Sequence, residues 1–373
     1  MKKALKIFMV KGTGVYIHWT FVFLVAWILI MQAINRDTIL ETLWAFLAVA
    51  AMFACVILHE LGHVLVAARY GIRTRDVTLW PIGGLANMEK IPDKPRQEIA
   101  IGVAGPAVNL VIALLTIPFL DNYVPFWKAT FVINNVQPAN FLYYLHTINA
   151  VLALFNLIPA FPMDGGRILR GILGLFVSYD RSTGMAALTG RIIAGFFILT
   201  GLLTFNLVLA ITGTFLIVAG SAEEQFVYLR TAAQGIRLKE LLIRDFASLD
   251  AGLSMEEAAE RLLQCHYRFF VVTTETGPLG VVDRNAILDA VAAGRYNEPV
   301  SRLVPRGSQC LKEESAANEA IDKLMQKGPA VYPVVNGQQL TGIVNLESIV
   351  EHLLVRNINK GFPGAGAVAR LLH

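Results

Sequence analysis

The stretch ETLWAFLAVAAMFACVILHELGHVLVAAR, residues 41–69, carries the two readings that decide what this chain is. Between Glu41 and Glu60 it holds no charged residue, and at about 1.5 Å per residue a helical run of that length crosses most of a hydrocarbon layer roughly 30 Å thick. Other charge-free gaps run from Lys11 to Arg36, Glu98 to Asp121, Lys128 to Asp164 and Arg191 to Glu223. Over all 373 residues, 55% are hydrophobic and 16% charged, against roughly 25% charged in ordinary soluble domains. A mean hydropathy of +0.54 excludes a disordered chain. The net charge of +4, from 32 basic and 28 acidic residues, gives no reason to expect nucleic acid as a partner. Cys55, Cys265 and Cys310 are too few for a disulfide framework.

The gaps predict a polytopic α-helical membrane domain of about six spans, near 15–34, 42–68, 99–120, 142–176, 185–203 and 206–222. Pro159 and Pro162 break the fourth, and Gly201, Thr204 and Asn206 divide the last apolar run into two passes. A signal peptide does not fit the first gap, which is long and followed by more of the same. Basic residues set the orientation. Lys2, Lys3, Lys6, Lys11, Arg69, Arg73, Arg75, Lys90, Lys94, Arg96 and Arg181 fall on one side, against Arg36 and Lys128 on the other. That bias predicts a multi-pass protein of the cell membrane with cytoplasmic N- and C-termini.

Near the end of the second span, His59 and His63 stand four apart, on one face of a helix, able to aim two imidazole nitrogens at one metal ion. Glu60, beside a ligand without being one, is placed to take a proton from an activated water. The span stays apolar through Ala68, so these ionisable groups lie in the hydrocarbon zone, where they are costly and usually functional. A catalytic zinc needs a third protein ligand, and the candidate is Asp164, in the segment from Asn156 to Arg167. His59 lies 17 residues into its span and Asp164 lies 22 into its own. At about 26 Å and 33 Å of helix rise, both arrive in the cytosolic part of the membrane. His18 and His146 lie in other spans and read as packing or interfacial residues rather than ligands.

From about residue 236 the composition becomes that of a mixed α/β domain, and the tail repeats itself at an offset of 62 residues. Leu238, Leu241, Arg244, Leu249, Ala258 and Leu262 match Val300, Leu303, Arg306, Leu311, Ala320 and Leu324 without a gap. Each unit reads as a helix, a β-branched strand, a second strand opened by Gly, and a closing helix. The strings GVVDRNAILDA (280–290) and GIVNLESIVEH (342–352) resemble a pair of CBS (cystathionine β-synthase) motifs, giving a soluble α/β tandem CBS domain. The resemblance implies a regulatory module with an adenine nucleotide between the repeats. The chain departs from the pattern where the family holds the ribose. Asp283 and Asn345 replace a Thr, and Ala286 and Ser348 replace an Asp. Ligand sensing and a structural or dimerising role therefore stand side by side. The expected domains are 1–225 (membrane), 226–235 (linker), 236–298 and 299–358 (CBS repeats) and 359–373 (tail).

HELGH and the Asn156–Arg167 segment, 105 residues apart between His59 and Asp164, resemble the HExxH and NxxPxxPxDGGR motifs of the site-2 protease family of intramembrane zinc metalloproteases. The resemblance implies one zinc per chain held by His59, His63 and Asp164, with Glu60 activating water to cut a peptide bond of a transmembrane protein substrate in the lipid bilayer. Asn156 would contact the substrate backbone or the developing oxyanion. Pro81-Ile82-Gly83-Gly84-Leu85 resembles the family's β-hairpin, so Gly83 and Gly84 would line an edge for an unwound substrate. Gly105-Pro106-Ala107-Val108-Asn109 fits the family's third span and equally fits plain helix packing. With its CBS tail the chain is similar to the prokaryotic branch that includes the sporulation protease acting on a sigma-factor precursor, and a homodimer is expected. The alternative is a CBS-regulated transporter or channel using the buried His and Glu as an ion path, although the membrane half shows no inverted repeat.

Overall fold

The computed structural model describes residues 4–10, 12–35, 38–81, 83–88, 92, 94–120, 136–305, 308–325 and 330–357. The expectations for Lys2, Lys3, Lys11, Arg36, Ile82, Lys90, Lys128, Arg306 and the 359–373 tail fall outside these residues.

The first apolar run is not one helix. Strands β1 (Ala4–Val10) and β2 (Thr13–His18) form an antiparallel hairpin, and helix α1 spans only Phe21–Asn35. The span expected at 15–34 therefore begins at residue 21, and its 15 helical residues are short for a straight crossing. Strand pairing overrides the apolar pattern: β2 also runs parallel to β3 (Thr74–Trp80), which turns back antiparallel as β4 (Gly83–Met88). Val15 of β2 and Val77 of β3 are buried against Val64 of the long helix α2. Among the described residues the sheet order is β1-β2-β3-β4, with β1 and β4 at its edges.

Helix α2 (Ile39–Arg69) starts at a capping box, in which Thr38 Oγ1 accepts from Glu41 N and the Glu41 carboxylate accepts from Thr38 N. Helix α3 (Pro95–Thr116) opens with Pro at its first position. The expected 142–176 span is two helices, α4 (Phe141–Asn156) and α5 (Asp164–Leu173), separated by a turn containing Pro159 and Pro162. Helices α6 (Tyr179–Leu203) and α7 (Leu207–Ala232) are divided at 204–206, where Phe205 takes a positive φ of 52°. Of the described helices, α2, α3 with its short extension to Phe119, α6 and α7 are long and apolar enough to cross a membrane. Six spans were expected; four candidates are seen.

The chain divides into two units, up to Glu223 and from Glu224 on. Residues 226–235, expected as a linker, are helical to Ala232. Leu229, Ala233 and Ile236 lie in the core of the second CBS repeat, beside Leu311, Ala320, Val334 and Val350. The apolar side chains within that stretch find a core, so it folds.

In the second unit the repeat offset becomes an offset of elements. Helix α8 (Met255–Leu263), β6 (Phe269–Thr274) and β7 (Gly277–Asp283) each begin 62 residues before α10 (Ala317–Met325), β9 (Val331–Asn336) and β10 (Gln339–Asn345). Helices α9 (Arg284–Ala292) and α11 (Leu346–Asn357) close the repeats. Each repeat also has a short strand the sequence reading missed, β5 (Ala247–Asp250) and β8 (Leu311–Lys312), parallel to β6 and β9. The two sheets are β5-β6-β7 and β10-β9-β8. Asp283 Oδ1 accepts from Asn285 N at 2.8 Å, and Asn345 Oδ1 accepts from Ser348 N at 2.7 Å. Both residues that replace the family's Thr thus cap the helices that follow them.

Candidate metal centre

Helix α2 presents His59 and His63 one turn apart toward α3, and Asp164 arrives as the first residue of α5. The turn can fold back on that helix because Gly165 has no side chain: a Cβ there would stand 2.3 Å from Ile158 O. His59 Nε2 and His63 Nε2 each lie 3.1 Å from Asp164 Oδ2 and 3.2 Å from one another. Their residues are 6%, 4% and 8% exposed for His59, His63 and Asp164. Zinc bonds of about 2.0–2.1 Å in a tetrahedron place neighbouring donors roughly 3.3 Å apart. The observed triangle fits that face, and its two nitrogens and one carboxylate oxygen are a donor set suited to zinc.

The opposite ring nitrogens are held as well. His63 Nδ1 meets Ile101 O at 2.7 Å and His59 Nδ1 meets Asn109 Oδ1 at 2.6 Å, both acceptors on α3. A nitrogen facing an acceptor must carry the hydrogen, so each Nε2 keeps its lone pair for the shared space between the rings. Gly105 of α3 backs that space, where a Cβ would lie 2.3 Å from His63 Nε2 and 2.5 Å from His59 Nε2.

Glu60, on the same turn of α2, reaches the sheet: a Cβ at Gly84 of edge strand β4 would come within 2.7 Å of Glu60 Cγ. Gly83 opens β4 opposite Trp80. Asn156 is half-buried, and its amide nitrogen donates to Leu152 O at 2.9 Å within α4. His18 stacks on Trp80 with ring centroids 3.7 Å apart, and His146 Nδ1 lies 2.9 Å from Ala113 O. Both are packed away from the triangle.

Two polar assemblies escaped the sequence reading. Asn109 and Asn149, each with 0% exposure, join α3 to α4, with Asn109 Nδ2 donating to Asn149 Oδ1 at 2.9 Å. Arg170 of α5 donates through Nε to Glu98 of α3 at 2.6 Å and through Nη1 to Glu223 of α7 at 2.9 Å. Its guanidinium also lies 4.9 Å from the Phe161 ring and 5.1 Å from the Tyr179 ring. The available signal was an amide or an acid in the middle or at the mouth of an apolar run, which lipid tolerates only with a partner.

Peptidase family M50 matches residues 47–126 and 129–202, around both motifs, and the CBS domain matches residues 238–293 and 301–355. A zinc metalloprotease of Methanocaldococcus jannaschii, MJ0392, is 30% identical over 362 residues, covering 96% of this chain and 99% of that protein. The chain belongs to peptidase family M50. This M50 metalloprotease is also 28% identical, over 123 residues, to the Bacillus subtilis stage IV sporulation protein FB, a match covering 33% of the chain and 38% of that protein. A solved site-2 protease from Methanocaldococcus jannaschii aligns at 35% identity with a TM-score of 0.44, covering 59% of this chain and 95% of that one. Between the protease and the transporter expected from sequence, membership of M50 selects the protease.

Proposed function

We propose that this M50 metalloprotease is a zinc endopeptidase that hydrolyses a peptide bond within or next to a transmembrane segment of a membrane protein. His59, His63 and Asp164 would hold one zinc per chain. The observation that carries the reading is the triangle of these donors, 3.1 to 3.2 Å on a side and buried among α2, α3 and α5. When bound, zinc supplies Lewis-acid polarisation of the scissile carbonyl and acidifies the attacking water. Glu60 takes the proton from that water and returns it to the leaving amine. Strand β4, at the sheet edge among the described residues, offers Gly83 and Gly84 beside Glu60, where an unwound substrate would add as a further strand. Asn156 contacts the substrate backbone or the oxyanion once its side chain leaves Leu152 O.

The chain crosses the membrane six times, counting α1 and the broken α4–α5 pair, with both termini cytoplasmic. The domains divide near 1–225, 236–298 and 299–358. The CBS pair regulates the protease and associates chains into a homodimer, with an adenine nucleotide as the ligand class to be tested there by equilibrium dialysis. The mechanism is tested with purified protein and a single-span membrane substrate. Glu60→Gln should keep its zinc and lose about 10²–10⁴-fold in cleavage rate; cleavage at the wild-type rate sinks the role given to Glu60.

A further inference from the structure

The metal-facing lone pair of His59 is set two residues away, on another helix. Asn149 Nδ2 donates to Leu145 O at 2.8 Å and lies 3.2 Å from Cys55 Sγ. A backbone carbonyl only accepts, so Asn149 must turn its nitrogen toward Leu145 and its oxygen toward Asn109. Asn149 Oδ1 then accepts from Asn109 Nδ2 at 2.9 Å, which turns the Asn109 oxygen toward His59 Nδ1 at 2.6 Å. An oxygen there requires His59 to carry its hydrogen on Nδ1 and leaves Nε2 bare. If either amide reversed, Asn109 would present an N–H to Nδ1, and the hydrogen of His59 would move to Nε2, into the donor triangle. Both asparagines are 0% exposed, so such a reversal would leave its mismatched polar groups buried, at the full cost of an unmade hydrogen bond.

The geometry points to Asn149 as a positioning residue of the metal centre: through Asn109 it fixes the ring tautomer of His59 that can bind zinc. This rests on the proposed role of His59 as a zinc ligand. The alternative, that Asn149 merely packs α4 against α2 and α3, makes a different prediction. If Asn149 acts only by orienting Asn109, then a side chain at 109 that can do nothing but accept makes Asn149 dispensable. Aspartate is such a side chain, and a carboxylate behind a ligating imidazole is a common arrangement in zinc sites.

The test uses full-length protein in lipid nanodiscs. Zinc affinity is read by competition with a chromophoric chelator, alongside the thermal midpoint of the zinc-free protein. Asn149→Leu should lower zinc affinity about 10- to 100-fold. The double variant Asn149→Leu with Asn109→Asp should recover it to within a few-fold of wild type without recovering the thermal midpoint. Unchanged affinity in Asn149→Leu overturns the proposal, and so does a double variant that fails to regain zinc. If Asn149→Leu does not accumulate folded, Asn149→Ala with and without Asn109→Asp makes the same comparison. Wild-type protein that takes up no zinc overturns the ligand assignment itself, an outcome distinct from zinc-binding wild type with an indifferent Asn149.

Discussion

Gly105→Ala is the sharpest perturbation available, because it adds one methyl group at the back of the donor triangle. The new Cβ would lie 2.3 Å from His63 Nε2, 2.5 Å from His59 Nε2 and 2.6 Å from His63 Cε1. Comfortable contacts between such atoms are about 3.5 Å, so rings or helix must separate by roughly 1 Å. Metal sites tolerate errors of only about 0.2 Å in donor position. A displacement several times that tolerance is incompatible with three donors meeting one ion, and zinc affinity should fall by more than 100-fold. The fold itself should survive. Crowding a packed interior costs typically 1–3 kcal/mol, and replacing Gly by Ala inside a helix returns up to about 1 kcal/mol. The assay is zinc stoichiometry and chelator competition on the folded variant, with cleavage of a single-span substrate as a second readout. A Gly105→Ala protein that binds one zinc with wild-type affinity and cleaves normally would refute the placement of the metal between these rings.

Arg170→Met should lower the unfolding midpoint in detergent markedly. It leaves the side chain of Glu98, 4% exposed, without its partner, and breaking a buried pair from one side costs roughly 3–5 kcal/mol; Arg170→Met with Glu98→Gln should recover part of the loss. In the second unit, Glu257 accepts from Ser254 N at 2.9 Å and from Ser254 Oγ at 2.8 Å, and these bonds, the backbone one foremost, hold its carboxyl below the usual value. A group whose pKa is lower folded than unfolded stabilises fully above its unfolded value and ceases to do so as pH falls through the folded one. Amides at the start of α8 should therefore lose protection, relative to intrinsic exchange rates, as pH falls through and below the ordinary carboxylate range. Glu257→Gln should flatten that dependence, and hydrogen exchange of the peptide covering 254–264 reads both; an equally steep profile in the variant would count against the cap.

What the sequence made legible was whatever is local or periodic. The charge-free run of α2 and the four-residue spacing of its histidines need only helix geometry, and the 62-residue offset carries over from residues to strands and helices. The error at 15–34 has a physical cause. In a chain this apolar, Thr13–His18 does not reveal whether it serves a helix or a strand, and what decides is the presence of β1 and β3 as hydrogen-bonding neighbours. Partners across helices were illegible for a related reason. Asn109 and Asn149 are 40 residues apart and Glu98 and Arg170 are 72 apart, and nothing in their local patterns states which faces meet.

Those cross-helix pairs explain why this metal centre and this membrane fold are one construction problem. Large apolar side chains face outward here, with Phe23 at 62%, Leu115 at 66% and Ile192 at 66% exposure, because lipid is as good a solvent for them as a protein core. Burying more of them gives little reason for one helix register over another. Polar groups do the discriminating. Among the described residues every fully buried polar or charged side chain lies between Thr13 and Thr183, in the first unit. His59 to Asn109 and His63 to Ile101 O tie α2 to α3, Asn109 to Asn149 ties α3 to α4, and Arg170 to Glu98 ties α5 to α3. Tyr144 Oη to Ala48 O adds α4 to α2. Each bond that selects a helix register also fixes a donor or the helix bearing one. A one-residue slip of α3 along α2 would therefore leave amides unpaired in hydrocarbon at the same moment that it dismantled the orientation of the proposed zinc ligands.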